Sequence, residues 1–205
     1  MTKTIIQESI DQGLSLPDLL AEVRQALSDN PRTIVVLDDD PTGTQTVHNV
    51  PVITNWSSET LEKEIAESPL FFILTNSRSL QQKEARELAF LLGQRLQEIA
   101  ANLGKQLIVL SRSDSTLRGH YPIEVKALKE GMGLTHITEL LIPAFFEGGR
   151  YTFEDVHYVK EGEAFVPAAE TPFAKDKTFG YQASNLREWI AEKNDGEISL
   201  KEISS

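Results

Sequence analysis

The chain has 205 residues, 40% of them hydrophobic, and no cysteine. It is therefore long enough for one full-sized α/β domain and closed to disulfides, iron–sulfur clusters and thiol nucleophiles. Its formal net charge of −11 speaks against nucleic acid or an anionic membrane as a partner, since both reward a positive surface, yet it leaves open small anions held by local arginines, amides and helix ends.

Residues 1–13 (MTKTIIQESIDQG) read as a polar leader, too polar for a signal peptide, and no apolar run approaches the length of a membrane span. The expected location is cytoplasmic. Ser15 with Asp18 fits a capping box and Pro17 a first helical turn. Leu16, Leu19, Leu20, Val23 and Leu27 then recur at helical spacing until Asn30-Pro31 stops them. Residues 33–37 (TIVVL) form a β-branched run of the kind found in buried parallel strands, and 50–53 form a shorter strand. Residues 57–67 read as a helix and 70–74 (LFFIL) as a buried strand.

A capping box of Ser79 and Gln82 is expected to open the next helix, whose apolar stripe is Ala85, Leu88, Leu92, Leu96 and Ile99. Residues 106–110 (QLIVL) read as a strand, 122–130 as a short helix ended by Gly131 and Gly133, and 139–142 as a further strand. From Phe145 the texture changes to glycine, proline and aromatics with short extended pieces at 156–160 and 164–166. A last helix is expected at 183–191. Strand and helix thus alternate at βαβ spacing, which predicts a doubly wound α/β fold with a mainly parallel sheet, helices on both faces and a β-rich excursion in the last third. The expected division is a leader and helix at 1–32, the α/β domain at 33–193 and a polar tail, prone to fray, at 194–205.

Three polar segments follow three of these strands: Asp38-Asp39-Asp40-Pro41-Thr42-Gly43, Thr75-Asn76-Ser77-Arg78, and residues 111–119 (SRSDSTLRG). Parallel strands end on one edge of a sheet, so these segments are expected to meet in the crevice where such sheets bind ligands. Within the aspartates, one carboxylate would accept a hydroxyl or its proton while a neighbour orients it; the plain alternative is an acidic capping turn. Thr42-Gly43 supplies a tight turn with backbone amides. Arg78 and Arg112 suit a ligand carboxylate, or else form surface salt bridges. Ser113, Asp114, Ser115 and Arg118 offer hydroxyls and charge to a polyhydroxylated anion, and Gly149-Arg150 could bring backbone close to a ligand.

The four histidines, His48, His120, His136 and His157, stand singly and show no HExxH pair, so no metal site is expected from them. No GxxxxGK[ST] loop, GxGxxG loop or GxSxG elbow occurs.

DDDPTG, TNSR, SDSTLRGH (113–120), PAFFEGGRYT (143–152) and TPFAKD (171–176) resemble, in order and spacing from about residue 33 to 181, the N-terminal domain of the four-carbon acid sugar kinase family. The family usually has lysine where this chain has Arg112, alanine at Asp38 and asparagine at His120. The resemblance implies an ATP-dependent phosphorylation of a threonate- or erythronate-like sugar acid. It places Asp39, Arg78 and the stretch from Arg112 to Ser115 on the substrate. In that setting Asp39, with Asp40 as the alternative, would act as the hydroxyl-orienting group or general base. ATP and Mg²⁺ are expected to bind mainly on a C-terminal domain not contained in this chain, so the isolated chain is expected to bind sugar acid without turning it over. Self-association could cover the exposed interdomain face. The rival readings are a non-catalytic or regulatory sugar-acid-binding protein and a Mg²⁺-dependent phosphatase built on the aspartates.

Overall fold

The structure, a computed structural model, describes residues 16–42 and 47–204. The expected leader at 1–13, the capping residue Ser15 and Gly43 lie outside the described residues. The chain divides into two compact units. The described residues of Arg32–Asp114 and Arg118–Leu141 form a sheet unit; those up to Pro31, Ser115–Leu117 and those from Ile142 onward form a ribbon unit. Helix α1 (Leu16–Asp29) stands where the apolar spacing predicts it, but Leu19, Leu20, Val23 and Leu27 on its stripe are all exposed.

In the sheet unit β1 (Thr33–Asp38), β2 (Val52–Ile53), β3 (Leu70–Leu74) and β4 (Leu107–Arg112) pair in the order β2-β3-β1-β4, and every pairing is parallel. The winding runs outward from β1 to β2 and then reverses to reach β4 on the other side. Helices α2 (Ser58–Glu67) and α3 (Gln82–Leu103) are the crossovers after β2 and β3. Both crossovers step across the sheet in the same direction, so right-handed connection sends both helices to one face. That is why α2, α3 and α4 (Ile123–Gly131) share one core with alternate strand residues: Val35, Leu37, Phe71 and Ile73 pack with Leu61, Ile65, Leu92, Leu96, Ala127 and Leu128. Val36 and Phe72, which alternation points the other way, are buried too, as the unbroken apolar runs of β1 and β3 imply.

The helix signals need one correction. The capping box of α3 is Gln81 with Glu84, not Ser79 with Gln82: the Gln81 amide donates to Glu84 Oε2 at 3.0 Å. Ser79 is taken up by a 3₁₀ turn, Ser77–Ser79, and its hydroxyl donates to the Asn76 carbonyl. Further along, α3 and α4 touch backbone to backbone at two glycines. A Cβ on Gly93 would meet the Leu128 carbonyl at 2.5 Å, and one on Gly131 would collide with the Phe90 carbonyl. This close crossing carries α4 hard against α3, which helps set the position of the first turn of α4.

The strand expected at 139–142 does not form. That segment is irregular, with Leu140 80% and Ile142 74% exposed, and among the described residues β4 is paired only through β1. Four residues ending just before Pro143 satisfy a strand pattern locally, but a strand exists only where an edge accepts it.

In the ribbon unit β5 (Arg150–Phe153), β6 (Val156–Glu161) and β7 (Ala164–Pro167) form an antiparallel sheet in chain order. Helix α5 (Leu186–Lys193) starts later than expected because Asn185 caps it, its side chain accepting from the amides of Arg187 and Glu188. The tail contains a 3₁₀ turn, Leu200–Glu202, whose last carboxylate takes the Ser199 amide and hydroxyl. Fully buried His157 binds two chain segments: Nε2–H donates to the Ser115 carbonyl at 2.7 Å, and Nδ1 takes the Thr152 hydroxyl at 3.0 Å.

The turn between β5 and β6 carries a correctable strain. Phe153 pairs with Val156, so Glu154 and Asp155 are the two loop residues, and both have positive φ, 47° and 64°. This is the backbone of a turn that favours Asn-Gly. Glu154→Asn combined with Asp155→Gly is therefore expected to raise stability by about 1 kcal/mol, read as a higher urea midpoint. An unchanged or lower midpoint would count against a strained turn.

Candidate functional site

All three polar segments reach the same edge of the parallel sheet. Register explains it: Asp38 stands level with Leu74 of β3 and Arg112 of β4, so the chain leaves three neighbouring strands at one height. Backbone bonds join the exits. The Thr75 amide and hydroxyl donate to the Asp38 carbonyl, each at 2.9 Å, the Arg78 amide to the Asp39 carbonyl at 3.2 Å and the Asp39 amide to the Arg112 carbonyl at 3.4 Å.

The side chains then sort into pairs. Asp39, 4% exposed, is gripped by the Arg78 fork, Nε to Oδ2 at 3.0 Å and Nη2 to Oδ1 at 2.6 Å. The Ser113 hydroxyl adds a bond to Asp39 Oδ2 at 2.7 Å. Asp38 is paired with Arg112 through Nη1 at 3.2 Å. Asp114, which could have supported Arg112, is instead bonded to Arg118 Nε at 2.6 Å. Asp40 accepts from the Thr42 amide at 2.8 Å and hydroxyl at 2.5 Å, with Arg78 Nη1 at 3.4 Å. Gly119, at φ +149°, passes so close to Ser113 that a Cβ would run into the Ser113 hydroxyl and stand 3.4 Å from Asp39 Oδ2. The glycine of the TLRG stretch is thus what lets the loop close over the Asp39–Ser113 bond.

The charges differ accordingly. Burial pushes the Asp38 carboxyl above its ordinary value despite Arg112, and the charge of Asp39 adds to the rise. Asp40 is held below its ordinary value by the two bonds from Thr42. Burial alone would lower Arg78, but the bonds and charge of Asp39 outweigh it and raise its pKa.

Asp39, Arg78, Arg112, Ser113, Asp114 and Arg118 are thus gathered in the sheet unit, with Asp40 and Thr42 on the loop after β1 and Thr42 exposed. Ser115, Gly149 and Arg150 belong to the ribbon unit. There the Ser115 carbonyl is the acceptor for His157, Gly149 turns at φ +75°, and Arg150 contacts the Gly148 carbonyl with its guanidinium 5.8 Å from the Phe173 ring centre.

One residue of this edge is not marked out by the sequence. Glu124, in the first turn of α4, lines a narrow recess with Asp39, Thr75, Ser77, Ser111 and Arg112. Burial raises its pKa; the Ser77 hydroxyl bond opposes the rise and the charge of Asp39 reinforces it. Its only signal in the sequence is a glutamate opening a helix, which reads as ordinary dipole compensation. The raised pKa has a checkable sign. Protonation of Glu124 is favoured in the fold, so its stabilising share is complete below the unfolded value near 4.5 and is lost as pH rises through the higher folded value. Glu124→Gln is therefore expected to raise the urea midpoint at pH 7 and to make no difference at pH 4. A loss at pH 7 would show that the ionised carboxylate stabilises the fold.

Over residues 34–205 the chain matches the family described as the sugar-binding N-terminal domain. No curated protein matches it. Among the described residues no helix is long and apolar enough to cross a membrane.

Proposed function

Because the chain belongs to the family of sugar-binding N-terminal domains, the domain of the four-carbon acid sugar kinases, we propose that the strand-end crevice of its sheet unit holds a threonate- or erythronate-like sugar acid for ATP-dependent phosphorylation. The observation that carries this reading is the junction of Asp39, Arg78, Arg112 and Ser113 at one sheet edge, beside a narrow recess where Thr75, Ser77, Ser111 and Glu124 meet the aliphatic side chains of Leu37, Leu88 and Leu92.

The roles follow from which groups are already engaged. The Arg78 fork is occupied by Asp39, so Arg78 chiefly orients the Asp39 carboxylate. Arg112 meets Asp38 through Nη1 and its side chain is 37% exposed, against 23% for Arg78; it is the better placed of the two for a ligand carboxylate. Asp39, so oriented, would receive the acceptor hydroxyl or its proton.

The residues present do not fit the nucleotide or its metal. The sequence has no phosphate-cradling glycine loop, and among the described residues no three His, Asp or Glu side chains group as a metal site. ATP and Mg²⁺ are accordingly assigned to a separate domain, and the sheet unit supplies the acceptor. The alternative of a binding or regulatory protein shares the crevice and differs in lacking that second domain.

Calorimetry of the chain against D-threonate, D-erythronate and L-threonate, repeated with Mg²⁺-ATP, tests the assignment. Heat from a sugar acid and none from ATP is the expected result. ATP binding, or phosphorylation of a sugar acid by this chain alone, would overturn the division of labour; silence toward all three acids would overturn the substrate class.

A further inference from the structure

We infer that Glu124 is a ligand-binding residue of the crevice, its carboxylate accepting a hydroxyl of the bound sugar acid while Arg112 in the same recess takes the acid end. The inference rests on the sugar-acid reading above and names a residue to which that reading gave no part.

Asp39 has little acceptor capacity left. Arg78 donates to it twice and Ser113 once, and a carboxylate has about four lone-pair positions. Glu124 stands across the recess on another element, α4, where the Ser77 hydroxyl supplies one bond. A polyhydroxylated acid brings several hydroxyl donors and one carboxylate. It therefore needs further acceptors beside a cation, and Glu124 with Arg112 lining one recess provides that pair. The backbone crossing of α3 and α4 at Gly93 and Gly131 sets the helix that carries Glu124, so the carboxylate is presented by a rigid element. The groups that face Glu124 are Asp39 from the end of β1, His120 from the loop before α4 and Arg78 from the 3₁₀ turn. Glu124→Gln leaves all three in place, so the part of the pH dependence that this variant removes belongs to Glu124. A hydroxyl donates to the ionised carboxylate, so binding tightens as pH rises through its elevated pKa and releases a proton.

The test is calorimetry of the full chain with the three sugar acids from about pH 4.5, near the ordinary glutamate value, up to about pH 7.5, in paired buffers of different ionisation enthalpy. Wild type, Glu124→Gln and Glu124→Ala are compared, with circular dichroism to verify folding. Expected are tighter binding at higher pH with proton release in the wild type, a flattened profile in Glu124→Gln, and a roughly ten- to hundred-fold weaker complex in Glu124→Ala. Wild-type binding with the same affinity and pH slope in both variants would overturn the role of Glu124 and leave the sugar-acid reading intact. No binding by the wild type at any pH would overturn that reading and this inference with it.

Discussion

Asp39→Ala is expected to lower stability by about 3 kcal/mol and to remove sugar-acid binding in the same variant. Asp39 is 4% exposed and takes both hydrogen bonds of the Arg78 fork. Its loss leaves a half-buried guanidinium facing Asp40 at 3.4 Å, and leaves the Ser113 hydroxyl the Arg118 carbonyl at 3.1 Å. Breaking a buried pair on one side costs about 3–5 kcal/mol, and the 23% exposure of Arg78 places this case at the lower end. Asp39→Asn keeps the shape and one carbonyl acceptor, so its stability loss should be smaller. In a complete kinase it should reduce turnover far more than binding, because the amide cannot take a proton. Urea denaturation followed by circular dichroism gives the first quantity and calorimetry the second. A midpoint equal to wild type in Asp39→Ala would show that the Arg78 pair adds nothing, and unchanged sugar-acid binding would remove Asp39 from the site.

Phe71→Ala is expected to cost about 3–5 kcal/mol, a large share of the roughly 5–15 kcal/mol that holds a typical domain. Phe71 lies on β3, level with Val35 of β1, and is fully buried in the core shared with Leu61, Ile65, Leu92 and Leu96. Truncation removes the ring's contacts and leaves a cavity that the strand pairing on either side of β3 prevents from closing. Leu110 of β4, on the same sheet, provides the contrast: it is 48% exposed, and Leu110→Ala should stay within about 0.5 kcal/mol of wild type. Thermal melts of the two variants decide it; equal shifts would mean that β3 does not centre the core.

The order of strands and helices through residue 131 was readable along the chain, because its causes are local. TIVVL and LFFIL are β-branched and aromatic runs that suit a strand buried on both faces, and Ala85, Leu92, Leu96 and Ile99 repeat at the pitch of a helix. That polar segments following parallel strands would share one edge was likewise readable, since it follows from strand direction alone. Which aspartate meets which arginine was not. Asp38 is level with Arg112 only through the β1–β4 register, and Asp39 meets Arg78 only because the Thr75 and Arg78 amides bond back to the end of β1. Asp114 pairs with Arg118, four residues away, a choice made by the loop's path. The run at 139–142 had strand composition but found no pairing edge, and the stripe of α1 had helical spacing but is exposed. Glu124 was invisible for the complementary reason: nothing local distinguishes a surface glutamate in a first helical turn from one that a helix crossing presses beside a buried aspartate. Residue type and spacing dictate local conformation and chain direction; partners, burial and the proton affinity of a carboxylate depend on what the fold brings within a few ångströms of it.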